Sequence, residues 1–148
     1  MITLYYLAQF YPLALLVHLF CAIFFVGYFL VEIVLLKAVY PKLTPEAKSV
    51  FGARKVRMIF ISLLVLFISG GVMASAYIGG ENGYMTNSLQ TLLCVKIALS
   101  VLLVALVLYW YIIVKVLQKP LPFKKLMHPL TFILLVAIVV ISKLMVLV

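Results

Sequence analysis

Three side chains that can bind a metal or an anion lie inside long apolar stretches of this sequence. His18 lies in LALLVHLFCAIFFVGYFLVEIVLLK, Lys96 in LQTLLCVKIALSVLLVALVL, and Lys143 follows HPLTFILLVAIVVIS. An imidazole nitrogen is a common metal ligand, including for the iron of haem. A lysine ammonium can bind a carboxylate through a charge-assisted hydrogen bond. Together, these residue types indicate a site for a metal-containing cofactor that also carries carboxylate groups.

The apolar stretches around these residues predict membrane spans. The chain has 148 residues, of which 68% are hydrophobic and 10% are charged. Residues 13–36, 58–79, 89–114 and 129–148 are each long enough to cross a hydrocarbon core of about 30 Å as a helix. The sequence therefore predicts an all-α integral membrane protein. Its short connections favour one transmembrane domain, 1–148, folded as an up-down-up-down four-helix bundle.

The distribution of basic residues predicts the orientation of this bundle. The net charge is +9, and ten of the twelve Lys and Arg residues flank or fill the first and third connections. They are Lys37, Lys42, Lys48, Arg54, Lys55, Arg57, Lys115, Lys119, Lys124 and Lys125. Connections 37–57 and 115–128 are therefore expected to be cytoplasmic, with both termini on the outer, periplasmic side of a bacterial inner membrane. Because topology explains the charge, the sequence gives no reason to expect nucleic acid as a partner.

In this orientation, six unusual residues fall at similar depths in the outer half of the membrane. His18 lies about 9 Å and Lys96 about 12 Å from the outer ends of their helices. We call the predicted set the outer layer; its members are His18, Gly70, Gly71, Met73, Lys96 and Lys143. Four of the six members also have a purely structural alternative. Lys143 can snorkel to the surface, His18 can hydrogen bond to a neighbouring helix, and the glycines can permit close helix packing.

Haem b and copper are the two cofactors that suit the outer layer. For haem, His18 is the expected axial ligand, Phe25 and Phe29 the apolar contacts, and Lys96 with Lys143 the partners of the propionates. For copper, the expected ligands are His18, Cys21 and Met73. Recruiting Cys94 as a further ligand would turn Lys96 away, because residues two positions apart on a helix point about 200° from each other. The two cysteines give no disulfide framework.

The three acidic residues of the chain limit what Lys96 can pair with. Glu32 is expected in the inner half of the first span, Glu46 in the inner connection and Glu81 in the outer loop. Glu32 shares a helix face with His18 and has Lys37 nearby as a candidate partner. Since no acid is expected at the depth of Lys96, a carboxylate of a bound tetrapyrrole is its predicted partner.

Two local patterns predict helix starts on the cytoplasmic side. TPEAKSVF indicates a short helix with Thr44 as its N-cap, which we expect to lie along the inner surface. The MHP sequence predicts that the fourth helix has Pro129 in its first turn, where the missing N–H is harmless.

Three segments resemble a known membrane family. HLFCAIFFVG, with His18, Phe25 and Gly27, resembles the first span of the CopD-like copper-resistance domain and of the related HemJ-type protoporphyrinogen oxidases. FGARKVRMIFISLLVLFISGGVMAS is similar to the second helix of the family, and LQTLLCVKIALSVLLVALVL, centred on Lys96, to its third. Phe25 stands where the family usually has Trp. The HemJ-type members imply a four-helix unit with haem b bound through His18, an essential Lys96, and oxidation of protoporphyrinogen IX. The CopD-like members imply copper passage or tolerance.

Three functional hypotheses follow. The first is a haem-b-binding membrane oxidoreductase, with Lys96 as a catalytic residue, that oxidises a tetrapyrrole substrate and passes electrons to a quinone or another membrane acceptor. The second is a copper-handling membrane protein, and the third is an accessory or assembly subunit without catalysis. All three have membrane lipid as a partner, and each is compatible with a homo-oligomer.

Overall fold

The computed structural model describes residues 9–79, 82–120 and 123–147 and is helical almost throughout. Within these residues there is no β-strand, and four helices are long and apolar enough to cross a membrane. The prediction of an all-α fold with four helices long and apolar enough to span a membrane is therefore confirmed. Glu81, and residue 148 at the end of the fourth predicted span, lie outside the described residues.

The first two helices are joined by a very short turn. Helix α1, Tyr11–Val31, continues through a π-helical turn, Glu32–Leu36, and two short helical pieces to Lys42. Helix α2 runs without interruption over Pro45–Ala74. The Thr44 hydroxyl accepts a hydrogen bond from the backbone N–H of Ala47 at 3.3 Å, so Thr44 is the N-cap that the sequence predicts.

The segment between the first two spans differs from its prediction. TPEAKSVF does not form a separate short helix, because Pro45 opens α2 and the helix continues into the apolar run. The interhelical turn is thereby reduced to Leu43 and Thr44, and α2 ends at Ala74. At the end where they meet, α1 and α2 extend beyond the predicted spans 13–36 and 58–79. Where these helices enter and leave the membrane therefore remains a prediction.

The second half of the chain forms the other two long helices. Helix α3, Ser88–Tyr111, continues through a π-helical turn, Ile112–Val116, and Asn87 caps its start by accepting from the Gln90 N–H at 3.4 Å. Helix α4 covers Lys124–Leu147. Pro129 therefore lies inside α4 and not in its first turn, because the helix already begins at Lys124.

The helices form two compact units: unit 1 contains α1 and α2, and unit 2 contains α3 and α4. Unit 1 is an antiparallel hairpin, since contacts between its helices run in opposite sequence directions. Tyr11 pairs with Tyr77, His18 with Ser69, and Glu32 with Lys55. In unit 2, α3 packs against α4, with Leu103, Leu134 and Leu135 buried.

Large apolar side chains cover the outside of the long helices. Phe20 is 67% exposed, Leu64 62% and Ile133 62%. Apolar faces of this size need an apolar solvent, and helices satisfy their backbone hydrogen bonds internally in lipid. The chain is therefore a multi-pass integral membrane protein whose helices contact lipid.

Candidate functional site

His18 lies at the interface of α1 and α2 in unit 1. Its Nδ1 is 2.9 Å from the Ser69 hydroxyl oxygen, and Ser69 itself is buried. The Ser69 hydroxyl also donates to the Val65 carbonyl, one helical turn earlier, at 2.7 Å. A buried serine thus links the imidazole to the backbone of α2.

This hydrogen-bond chain assigns the proton of the imidazole. A serine hydroxyl has one proton, and Ser69 donates it to the Val65 carbonyl, so His18 Nδ1–H is the donor to the Ser69 oxygen. In the neutral ring, Nε2 then carries the lone pair that a metal would use. A histidine ligand is commonly oriented by such a hydrogen bond from its second ring nitrogen.

The two adjacent glycines of α2 have different surroundings. A Cβ at Gly70 would lie 3.2 Å from the His18 Cε1, whereas a Cβ at Gly71 would have no neighbour within 4 Å. Gly70 therefore provides the space into which the imidazole packs, and Gly71 does not. The structure brings His18 and Gly70 together as one small site, which we call the His18 site: His18, Ser69 and Gly70.

The remaining predicted residues of unit 1 are placed as follows. Phe25 is 5% exposed and belongs to the core of unit 1, while Phe29 is half-buried one turn further along α1. Cys21 and Met73 are also half-buried. Among the described residues, no group of three or more His, Cys, Asp and Glu side chains could hold a metal ion.

Glu32 has a different partner from the one expected. Its carboxylate forms an ion pair with the Lys55 ammonium of α2, so the expectation of Lys37 as its partner is wrong. The side chains of Lys55 and Glu32 are only 21% and 14% exposed, respectively. The pair joins the parts of α1 and α2 near the interhelical turn and lies next to the π-helical turn that begins at Glu32.

Unit 2 contains the two lysines of the predicted outer layer. Lys96 is half-buried, and its ammonium forms no ion pair or hydrogen bond with another described residue; Lys143 is exposed. The Ser100 hydroxyl donates to the Lys96 carbonyl at 2.8 Å. The Cys94 thiol faces the Tyr84 carbonyl at 3.5 Å, which gives Cys94 a contact within unit 2. The positions of Lys96 and Lys143 relative to His18 stay predictions.

Two buried polar residues, one in each unit, are absent from the sequence expectations. Ser69, which directly precedes the glycine pair, is the first. It contacts His18 because of how α1 is aligned with α2, and the sequence alone does not give this alignment. Gln90 is the other, with a side chain 5% exposed. Its amide accepts from the Thr86 N–H at 2.8 Å and donates to the Asn82 carbonyl at 2.9 Å, which fixes the loop before α3.

No protein-family model, curated protein or solved structure matches this chain. The resemblance to the CopD-like and HemJ-type family therefore rests on its three motifs alone.

Proposed function

We propose that this chain is a haem-b-binding integral membrane protein with a redox role, in which His18 is an axial ligand. The observation that carries the proposal is the contact of His18 Nδ1 with the buried Ser69 hydroxyl at 2.9 Å, a hydrogen bond of the kind that orients histidine ligands. Haem requires one such imidazole per axial position and no cluster of further protein ligands. A single oriented histidine therefore suits haem better than a copper site that needs several soft ligands.

The residues of unit 1 would position the cofactor. Ser69 fixes the ring orientation of His18, and Gly70 allows the ring to lie against α2. Haem supplies one-electron chemistry at its iron when bound. Phe29 and the lipid-facing part of α1 offer apolar contact to a macrocycle, whereas Phe25 contributes mainly to packing because it is buried.

In this proposal, Lys96 supplies a positive charge for a carboxylate. Lys96 is a half-buried cation within a membrane-spanning helix, and such cations need a counter-charge or a polar cavity. A haem propionate or a carboxylate of a tetrapyrrole substrate would meet this need, and exposed Lys143 could do the same nearer the surface. Oxidation of a porphyrinogen, of the type catalysed by HemJ-like enzymes, is the reaction that such a carboxylate-bearing substrate suggests.

The first prediction tests the cofactor and its ligand. The protein, purified in mild detergent from cells able to make haem, should show a Soret band at one haem per chain. His18→Ala should abolish the band, because the axial ligand is lost. Ser69→Ala, which removes only the orienting hydrogen bond, should reduce haem affinity by about 10- to 100-fold.

His128→Ala is the matched control, since His128 is exposed near the start of α4 and has no part in the His18 site. Its Soret band should equal that of the parent protein. Equal loss of the band in both histidine variants would contradict axial ligation by His18. Stoichiometric copper without haem in the purified protein would favour the copper-handling alternative with Cys21 and Met73.

A further inference from the structure

Two exposed arginines of α2, Arg54 and Arg57, lie directly beside the apolar run of that helix. No charged residue follows Arg57 before α2 ends at Ala74. Because charged groups are costly in hydrocarbon, we expect the edge of the hydrocarbon core close to Arg57, where the predicted span 58–79 begins. Helical side chains lean toward the N-terminus, which in α2 means away from the hydrocarbon. Both guanidinium groups are therefore expected at the depth of the lipid headgroups.

The two arginines share a helix face with apolar side chains that contact lipid. Ile61, Leu64 and Ile68 are exposed residues of α2. Arg57 is four positions before Ile61 and Arg54 is seven, so all five side chains follow one stripe along the helix. A phospholipid whose acyl chains cover the apolar part of this stripe has its headgroup next to the arginines.

Neither arginine forms an ion pair with another residue in the described part of the chain. The carboxylate of Glu32 pairs with Lys55. Glu46 is eight positions before Arg54, which corresponds to about 12 Å along the helix axis. The described residues therefore give the two neighbouring cations no protein counter-charge.

The spacing of the two arginines suits a single phosphate group. Residues three positions apart on a helix have Cβ atoms about 5–6 Å apart, so both guanidinium groups can reach one anion. A guanidinium has a planar fork of N–H donors that matches the oxygens of a phosphate. The phosphodiester of a phospholipid presents two such oxygens at the membrane surface, and its acyl chains suit the apolar stripe.

We infer that Arg54 and Arg57 bind the phosphodiester of an anionic phospholipid, whose acyl chains lie along Ile61, Leu64 and Ile68. The charge of the two arginines favours a lipid with net negative charge over a zwitterionic one, which carries its own cation beside the phosphate. This site is separate from the His18 site and does not require haem.

The test uses two lipids with identical acyl chains and different headgroups. Dioleoyl phosphatidylglycerol has a net negative charge, whereas dioleoyl phosphatidylcholine has none. Each lipid is titrated into the detergent-solubilised protein, and native mass spectrometry gives the dissociation constant of the first bound lipid. Glycerophosphoglycerol, which is the anionic headgroup without acyl chains, and inorganic phosphate are then added as competitors at the same concentration as the lipid.

Phosphatidylglycerol should bind the parent protein about 25-fold more tightly than phosphatidylcholine, since each basic side chain near an anionic lipid contributes about fivefold. Arg54→Gln with Arg57→Gln should make the two affinities nearly equal, and either single change should reduce the preference by about fivefold. The two competitors should not displace phosphatidylglycerol, because they lack the acyl chains that contact the apolar stripe.

Lys42→Gln with Lys48→Gln is the matched control, because it removes the same charge from unit 1 at other positions. Lys42 lies next to the interhelical turn, and the Lys48 ammonium lies over the Tyr40 ring. This variant should keep the full preference for phosphatidylglycerol. A loss equal to that of the double arginine variant would show that net charge alone, and not a site at Arg54 and Arg57, attracts the lipid.

Three further outcomes would overturn the inference. Equal affinity for the two lipids in the parent protein would exclude selection of an anionic headgroup. An unchanged preference in the double arginine variant would place the lipid elsewhere, and displacement by inorganic phosphate would indicate a site for a soluble anion. The lipid comparison and the competition both use the parent protein, so they stay decisive even if a variant folds poorly. Failure of haem binding in the His18 experiment would leave these results unaffected.

Discussion

At the scale of single residues, the glycine pair of α2 offers a matched comparison. Gly70→Ala should displace the His18 ring by a few tenths of an ångström, because the new Cβ would lie 3.2 Å from Cε1. We expect a changed ¹⁵N shift at His18 Nδ1 and weaker haem binding. Gly71→Ala meets open space and should leave both unchanged while stabilising α2 by about 1 kcal/mol. Identical ¹⁵N shifts in the two variants would argue against a role for Gly70 in positioning His18.

Lys96 gives a second prediction at this scale. Lys96→Arg keeps the positive charge and should retain much of the haem or tetrapyrrole binding. Lys96→Met has a similar length without charge and should lose most of it, because the carboxylate loses a charge-assisted hydrogen bond. Equilibrium binding of haem b to the detergent-purified variants measures the effect. If Lys96→Met bound haem as tightly as the parent protein, the proposed contact between Lys96 and a propionate would be wrong.

At the scale of elements, the Glu32–Lys55 ion pair fastens α1 to α2. Glu32→Gln would leave the largely buried Lys55 ammonium without its carboxylate, at a cost of about 3 kcal/mol in the free energy of unfolding. The double variant Glu32→Gln with Lys55→Met should recover most of this loss, because no unpaired charge remains. Unfolding of the detergent-solubilised variants, followed by helical circular dichroism, measures the differences.

Glu46→Gln is the control for this pair. Glu46 is an exposed acid in the first turn of α2 and contributes mainly through the helix dipole, so its loss should cost about 0.3–1 kcal/mol. A loss in Glu32→Gln no larger than in Glu46→Gln would indicate that the ion pair adds little to the packing of unit 1.

The hairpin of unit 1 explains which features the sequence could predict. Apolar length predicts the helices, and the residue types Thr and Pro predict the cap at Thr44 and the start of α2. Partners across the interface depend on where the chain turns. A turn at Leu43 and Thr44 aligns residues that are equally distant from it, which pairs His18 with Ser69 and Glu32 with Lys55. The sequence alone does not place this turn, because residues 37–57 contain both good helix formers and two prolines.

At the scale of the whole molecule, the two ends of unit 1 differ in chemistry. Near the turn, the Lys48 ammonium lies 5.7 Å from the centre of the Tyr40 ring, within a segment rich in Lys and Arg. At the opposite end, the hydroxyl groups of Tyr11 and Tyr77 are 3.1 Å apart, and their rings pack edge to face. Basic residues are enriched on the cytoplasmic side of membrane proteins, and tyrosines occur at both interfaces. The turn of unit 1 is therefore expected to face the cytoplasm.

This orientation predicts the side of the membrane on which both ends of the chain lie. With four spans and a cytoplasmic turn in unit 1, the N-terminus and the C-terminus should both lie on the outer side. Alkaline phosphatase, which is active only outside the cytoplasm, should be active when fused after Val148 and inactive when inserted after Lys119. Green fluorescent protein, which is fluorescent in the cytoplasm, should give the opposite pattern. Replacing Lys42, Lys48, Arg54 and Arg57 with Gln should produce a mixed orientation, because it removes four of the basic residues on which the predicted orientation depends. A C-terminal fusion that is active only in the cytoplasm would reverse the bundle and place the His18 site in the inner half of the membrane.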